Sequence, residues 1–139
     1  PQLKRTTMRI LIGLLVQNPR LATLIPSLEG LEQTKQAGLP LFVELVQTCL
    51  AQPGLTTGQL LELYRDNKLS QQLETLATWN HMIVEEQVEQ HFLDTLTNLY
   101  DSVLEKRQED LIARDRTHGL NADERKELWS LQLALAKKD

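Results

Sequence analysis

Residues 85–119, EEQVEQHFLDTLTNLYDSVLEKRQEDLIARDRTHG, decide the fold of this chain. In the first half of this stretch, apolar residues recur at steps of three and four, which is typical of a helix packed on a core. They are Val88, Phe92, Leu96, Leu99 and Val103. Residues 105–110 are instead all charged or polar, and no proline or glycine occurs between 85 and 118. The sequence therefore predicts one continuous helix over 85–118 that loses its apolar stripe halfway.

The predicted helix is longer than the domain to which it belongs. At about 1.5 Å per residue it extends roughly 50 Å. The residues before it would fold into a body only about 30 Å across. Because the second half carries charges where a core-facing stripe would continue, we predict that it projects from this body into solvent.

A helical hairpin is predicted at the end of the chain. Gly119 can adopt the left-handed conformation that ends a helix. Residues 121–124, Asn-Ala-Asp-Glu, form a variant of the capping box with acidic residues in the first turn. A terminal helix is therefore predicted from about Ala122 to Lys138, antiparallel to the second half of the long helix.

The terminal helix carries two apolar stripes, about 120° apart on a wheel of 100° per residue. The first stripe consists of Leu128, Leu131 and Leu135, and the second of Trp129, Leu133 and Ala136. The long helix offers only Leu111, Ile112 and Ala113 beyond its charged stretch, which is enough for one stripe. An isolated hairpin of this size is marginal in water, so we predict that another protein covers the second stripe.

Two alternatives for the second stripe are open. Trp129 and Leu133 could fold back on the bundle, or they could pair in a homodimer. A long helix with a hinge near 117–120 also favours domain swapping.

The chain before residue 85 reads as a series of short helices without strand-like alternation. Thr6 or Thr7 caps a helix to Gln17, and Asn18-Pro19 opens a short helix through 25. Further helices begin at Pro40, after the capping box of residues 56–59, and at Ser70, which acts as a cap. The apolar residues expected to face the core are Phe42, Leu45, Val46, Cys49, Leu50, Leu60, Leu61, Leu63, Tyr64, Leu73, Leu76 and Trp79.

The predicted fold class is therefore all-α: a compact bundle of about six helices, the last one long and projecting, followed by a C-terminal helical hairpin. We assign residues 1–104 to the bundle and 105–139 to the hairpin, with the long helix 85–118 shared between them. Because the chain opens with Pro1, it is expected to be a piece of a longer polypeptide.

Composition argues against several functional classes. The net charge of −4 disfavours binding to nucleic-acid phosphates. No apolar run approaches the roughly 18 residues of a membrane span. Cys49 is the single cysteine, which favours a cytoplasmic protein without disulfides.

Catalytic motifs are not found. The three histidines, at 81, 91 and 118, fall at no metal-ligand spacing. Cys49 lies on an apolar helix face and reads as a core residue, and no glycine-rich phosphate loop occurs. We expect neither an enzymatic site nor a metal or cofactor in this segment.

A basic cluster marks the amino-terminal end. Lys4, Arg5 and Arg9 flank Thr7, Met8 and Ile12. One interpretation is an ordinary solvated helix start. The other is a pocket for an acidic peptide that ends in a hydrophobic residue, held by charge steering and apolar contact.

Three segments, LKRTTMRI (3–10), QPGLTTGQLL (52–61) and IARDRTHGL (112–120), closely resemble the carboxy-terminal domain of bacterial DNA primase, of the DnaG type found in γ-proteobacteria. The likeness covers essentially the whole chain, including LAKK (135–138). It implies a helicase-binding module that docks on the amino-terminal domains of the hexameric replicative helicase and recruits primer synthesis to the replication fork. The bundle would tune helicase activity. Zinc and magnesium would belong to upstream domains of the parent, a DNA-directed RNA polymerase.

The resemblance also implies two sets of binding residues. The hairpin set for the helicase is Leu128, Trp129, Leu131, Leu133, Leu135, Lys137 and Lys138. A second set, for the acidic tail of single-stranded DNA-binding protein, is Lys4, Thr7, Met8, Arg9, Ile12 and Leu76. This chain has Thr75 where the family pattern has a lysine, and Leu133 where a polar residue is expected. The competing function is a regulatory acidic-peptide-binding or homodimerisation domain without helicase contact.

Overall fold

The computed structural model describes residues 6–28, 30–31 and 36–136. Within these residues every regular element is helical, with six α-helices and two 3₁₀ helices. The α-helices are α1 (Thr7–Gln17), α2 (Leu39–Ala51), α3 (Thr57–Leu63), α4 (Ser70–Ala77), α5 (Val88–Thr117) and α6 (Ala122–Ala136), and the 3₁₀ helices are Pro19–Leu24 and Glu85–Gln87. The predicted all-α fold, with one long helix followed by a terminal helix, is confirmed.

The chain divides into two compact units, one up to Leu96 and one from Thr97 onward. Helix α5 is continuous across this division. The functional boundary after residue 104, with its division of roles, stays a prediction.

In the first unit, α1 is the central element. Residues Ile10 to Val16 are all buried, as expected of a helix that is apolar nearly all round. Helix α1 packs against α2, α3, α4 and the first 3₁₀ helix. The Thr6 side chain caps it by accepting a hydrogen bond from the Arg9 N–H at 3.2 Å.

Local signals set most helix starts in the first unit. The Thr56–Gln59 capping box is formed in both directions: Gln59 N–H donates to Thr56 Oγ1 at 3.2 Å, and Thr56 N–H donates to Gln59 Oε1 at 3.0 Å. Helix α2 begins at Leu39, one residue before the expected Pro40, because Gly38 takes a left-handed conformation with φ of 86° immediately before it.

Three local predictions need correction. The short helix after Asn18 is a 3₁₀ helix, and the Asn18 side chain donates back to the Leu14 carbonyl at 3.1 Å instead of capping it. Ser70 is the first residue of α4, and the cap position belongs to Leu69, whose side chain cannot accept a hydrogen bond. The long helix proper starts at Val88, because residues 85–87 form the second 3₁₀ helix.

The core contains most of the apolar residues expected there, but Leu50 and Leu63 are wrong. They are 47% and 52% exposed. Leu50 lies at the edge of the α2 stripe in the last turn of the helix. Leu63 ends the seven-residue helix α3, of which only Leu60 is buried. Leu76 and Trp79 are half-buried, and Trp79 follows the end of α4.

In the second unit, α5 and α6 form the predicted hairpin. Gly119 has a φ of 75°, and its N–H and that of His118 both donate to the Arg114 carbonyl, at 3.2 and 2.8 Å. The capping box of α6 is also reciprocal: Glu124 N–H donates to Asn121 Oδ1 at 2.8 Å, and Asn121 N–H donates to Glu124 Oε1 at 3.0 Å. The turn is therefore specified by local hydrogen bonds, as the sequence predicts.

Candidate protein-interaction surfaces

The two helices of the hairpin are joined by a small apolar cluster. Its buried members are Leu111, Leu120 and Leu131, and Leu104 and Leu128 pack against it partly buried. Because these residues come from both helices and the turn, one face of α6 is closed against α5. The cluster is small, which fits an element whose stability is modest.

Ion pairs flank this cluster. Arg107 binds Glu127 with both ends of its guanidinium, Nε at 2.6 Å and Nη2 at 2.9 Å from the carboxylate oxygens. Hydrogen bonding from Arg107 lowers the pKa of Glu127 below its ordinary value. Arg114 Nε lies 3.2 Å from Glu124 Oε2. The Arg107 pair is 47% and 40% exposed, so it contributes only about 0.2–1 kcal/mol, but it aligns the helices.

The opposite face of α6 is open. Trp129 is 65% exposed and Leu133 is 43% exposed, whereas Leu131 between them is 8% exposed. Ala136 is exposed too. Within the second unit, the prediction of one paired stripe and one exposed stripe is therefore confirmed. We call Trp129, Leu133 and Ala136 the outer stripe.

The hairpin residues expected to bind the helicase thus fall into different environments. Leu131 is buried, and Leu128 and Leu135 are half-buried. Trp129 and Leu133 are exposed. Lys137 and Lys138 lie outside the described residues. The inner leucines therefore lie on the face that is packed against α5, and the outer stripe lies on the exposed face.

The second predicted set lies along α1. Thr7 and Arg9 are exposed, Met8 and Ile12 are buried, and Leu76 is half-buried. Lys4 and Arg5 of the basic cluster lie outside the described residues.

The elements around α1 bring Gly38 and Leu76 to it. A Cβ atom at Gly38 would lie 3.4 Å from Met8 Cβ, so the backbone before α2 covers Met8. A Cβ atom at Gly13 would lie 3.8 Å from Leu76 Cδ2. The fold therefore brings Leu76 to the same helix as Met8 and Ile12, although 64 or more positions of sequence separate them.

A buried polar network joins the end of α4 to α1, and the sequence analysis missed it. The Gln17 amide nitrogen donates to the carbonyls of Leu76 and Trp79, both at 2.9 Å. Gln17 Oε1 lies 3.1 Å from His81 Nε2, and His81 Nδ1 accepts a hydrogen bond from the Ile83 N–H at 3.0 Å. Since Nδ1 accepts, the Nε2 atom carries the proton and donates to Gln17. A signal was present: Gln17 is the polar last residue of α1, directly after the run Ile10–Val16, which contains no polar side chain.

The described residues contain no group of three or more His, Cys, Asp or Glu side chains placed to hold a metal ion. Burial raises the pKa of the Cys49 thiol to about 11, which suppresses the thiolate that a nucleophile needs.

A cavity of about 480 Å³ lies at the connection between α2 and α3, lined by Gln52, Pro53, Gly54, Leu55, Gln59, Glu62 and Leu63. It belongs to neither predicted binding set. No helix in the part of the chain that the structure describes is long and apolar enough to cross a membrane.

The fold and the outer stripe define an all-helical protein-interaction domain with a terminal hairpin. Residues 8–131 match the family described as DNA primase DnaG DnaB-binding. The chain belongs to this family.

Known relatives support the assignment. The chain is 62% identical over 138 residues to the DNA primases of Salmonella typhimurium (strain LT2) and Escherichia coli (strain K12), covering 99% of this chain and 24% of each relative. It therefore spans about a quarter of the length of these primases. The solved DnaG primase C-terminal domain from Vibrio cholerae is 41% identical, with a TM-score of 0.80 over 92% of this chain and 97% of that one.

Proposed function

We propose that this chain is the part of a bacterial primase that binds the DnaB-type replicative helicase and thereby brings RNA-primer synthesis to the replication fork. The observation that carries the proposal is the outer stripe of α6: Trp129 and Leu133 are exposed on a hairpin whose inner face is already closed. Membership of a DnaB-binding family points to the same partner.

The binding free energy that Trp129 can contribute fits a contact with another protein. A tryptophan side chain buries about 150–250 Å² when fully covered, and 65% of Trp129 remains to be covered. At about 25 cal/mol per Å², covering it contributes roughly 2.5–4 kcal/mol, which corresponds to about two to three powers of ten in affinity. One such anchor, surrounded by weaker contacts, is the usual composition of an interface hot spot.

The mechanism we propose is localisation. Tethering to the helicase raises the effective concentration of primase near newly exposed template, and a ring with several equivalent sites compensates for modest affinity at each site. In this proposal Leu128, Leu131 and Leu135 hold the hairpin in shape, and Lys137 and Lys138 add charge contacts at its end. The catalytic activity, with its zinc and magnesium, would reside in upstream domains of a cytoplasmic primase, and this segment would need no cofactor.

A second binding function is proposed for α1. Arg9 is exposed one position from Met8, and Leu76 lies against the same helix. The exposed charge of Arg9 and the half-buried Leu76 suit an acidic peptide that ends in a hydrophobic residue, such as the tail of single-stranded DNA-binding protein. Lys4, Thr7 and Ile12 complete the proposed set. Thr75 in place of a lysine would leave this site one positive charge weaker.

Two substitutions separate these functions. Trp129→Ala should abolish retention of the chain by immobilised DnaB helicase and leave binding of an acidic tail peptide unchanged. Arg9→Ala should weaken peptide binding and leave helicase retention unchanged. If the helicase retains both variants as well as it retains the unchanged chain, the hairpin assignment is wrong. If Trp129→Ala instead converts a dimer into a monomer, the outer stripe serves self-association.

A further inference from the structure

The charges of α6 are segregated between its two faces. Glu124 and Glu127 point to α5, where they pair with Arg114 and Arg107. Arg125 and Lys126 are exposed, and within the described residues neither forms an ion pair. Glu124 and Glu127 are therefore used inside the hairpin, whereas Arg125 and Lys126, together with Asp123 of the first turn, are left outside.

The two cations lie on either side of the outer stripe. At 100° per residue, Arg125 projects about 40° to one side of Trp129, and Lys126 projects about 60° to the other, beyond Leu133. Both precede Trp129 by one helical turn, at positions i−4 and i−3. The outer stripe therefore has a positively charged border, although the chain as a whole carries a net charge of −4.

The helix dipole gives these cations no special support. They lie near the amino end of α6, where the helix dipole favours acidic residues and disfavours basic ones. The first turn follows that rule with Asp123 and Glu124. Arg125 and Lys126 follow that first turn, where the effect of the dipole has faded, and Lys126 stands at the favourable i,i+3 spacing from Asp123. It is their position on both borders of the outer stripe that points to a partner.

We infer that Arg125 and Lys126 determine which protein surface the outer stripe binds. The partner surface we propose is an apolar groove on the DnaB-type helicase that is bordered by carboxylates. The inference rests on the proposed function. It adds that the partner surface is acidic where it meets the first half of α6. Trp129 and Leu133 would fill the groove, and the two cations would steer the hairpin and fix its register.

The test compares two double charge reversals that change the net charge of the chain equally. Arg125→Glu/Lys126→Glu alters the border of the outer stripe. Arg65→Glu/Lys68→Glu alters two exposed cations of the first unit and serves as the matched control. Glutamate is a good helix former and both positions are exposed, so the first variant is expected to fold, and circular dichroism checks this for both variants.

Binding to purified DnaB helicase is measured over a series of salt concentrations. The border variant should bind at least about tenfold more weakly than the unchanged chain at about 0.1 M salt, and its affinity should rise or stay constant as salt is added. The control variant should keep both the affinity and the salt dependence of the unchanged chain.

Each other outcome overturns the inference in a recognisable way. If the border variant binds normally while Trp129→Ala does not bind, the proposed function stands and the acidic groove is wrong. If Trp129→Ala also binds normally, the proposed function itself fails. Light scattering without helicase compares the unchanged chain with the border variant. If the unchanged chain is a dimer and the border variant is a monomer, the two cations serve self-association and the inference is wrong. A fluorescent single-stranded oligonucleotide would reveal a nucleic-acid site if the same variant abolished its binding.

Discussion

Leu131 and Leu133 provide a sharp test of the hairpin, because they are the same residue type two positions apart in one helix. Leu131 is 8% exposed and belongs to the apolar cluster, whereas Leu133 is 43% exposed on the outer stripe. The same substitution, leucine to alanine, should therefore affect folding at one position and binding at the other.

Leu131→Ala removes a buried side chain. Such substitutions cost about 2–5 kcal/mol, and the small cluster around Leu131 can partly collapse, so we expect about 2–3 kcal/mol. The hairpin has little stability to spare. Its amides, from about residue 105 onward, should lose protection against hydrogen exchange, while those of α1 and α2 keep theirs. Helicase binding should weaken because the hairpin must be ordered during association.

Leu133→Ala removes a side chain that is already half in water. Its effect on the free energy of unfolding should stay within about 0.5 kcal/mol. Complete burial of a leucine contributes about 1.5–3 kcal/mol, and 43% of the Leu133 side chain remains to be covered. The expected loss on binding is therefore about 1 kcal/mol, which corresponds to roughly fivefold weaker affinity for the helicase.

Hydrogen exchange measured by mass spectrometry reports hairpin stability, and isothermal titration calorimetry with DnaB helicase reports affinity. The reasoning is refuted if Leu133→Ala destabilises the hairpin as much as Leu131→Ala does. It is also refuted if Leu131→Ala leaves the exchange of the hairpin amides unchanged, because Leu131 would then contribute nothing to the inner face.

Three further predictions concern stability and reactivity. Gly119→Ala should destabilise the hairpin by about 1 kcal/mol in denaturant titrations, because residue 119 has a φ of 75°. The control Gly58→Ala lies inside α3 with open space around it, so it should stabilise the first unit by up to about 1 kcal/mol. Arg107 lowers the pKa of Glu127 from its ordinary value of 4.5. The contribution of the Arg107–Glu127 ion pair to hairpin stability is therefore complete above pH 4.5, and it is lost as the pH falls through the lowered pKa. It should amount to less than about 1 kcal/mol, and a Glu127→Gln variant should lack this component in melts between pH 7 and 3. Since burial raises the pKa of Cys49 to about 11, iodoacetamide at pH 8 should label it much more slowly in the folded than in the urea-unfolded chain; equal rates would contradict its burial.

Much of the architecture is local in origin and could be predicted from the sequence. The capping boxes at Thr56 and Asn121 and the left-handed turn at Gly119 involve residues at most five positions apart. The division of α6 into an inner and an outer stripe follows from the 100° rotation per residue. The exposure of Trp129 was predicted for the same reason, since the facing helix offers too few apolar residues for two stripes.

The sequence was less informative where a residue's environment depends on distant segments. Leu50 and Leu63 fit their helical stripes, yet both are exposed, because periodicity specifies the direction of a side chain but not how far the neighbouring helices extend. The approach of Leu76 to α1 likewise depends on how α4 packs.

The sequence by itself determined the all-helical class, the long helix, the turn of the hairpin and the outer stripe, since each depends on hydrogen bonds and side-chain directions within a few residues. Only the tertiary structure decided that Gln17 joins α1 to His81 and to the carbonyls of Leu76 and Trp79, across about 60 residues of chain. It alone also paired Glu127 and Glu124 of α6 with Arg107 and Arg114 of α5. The physical reason is that helix periodicity is local, whereas the partner of a polar group is chosen by packing between helices.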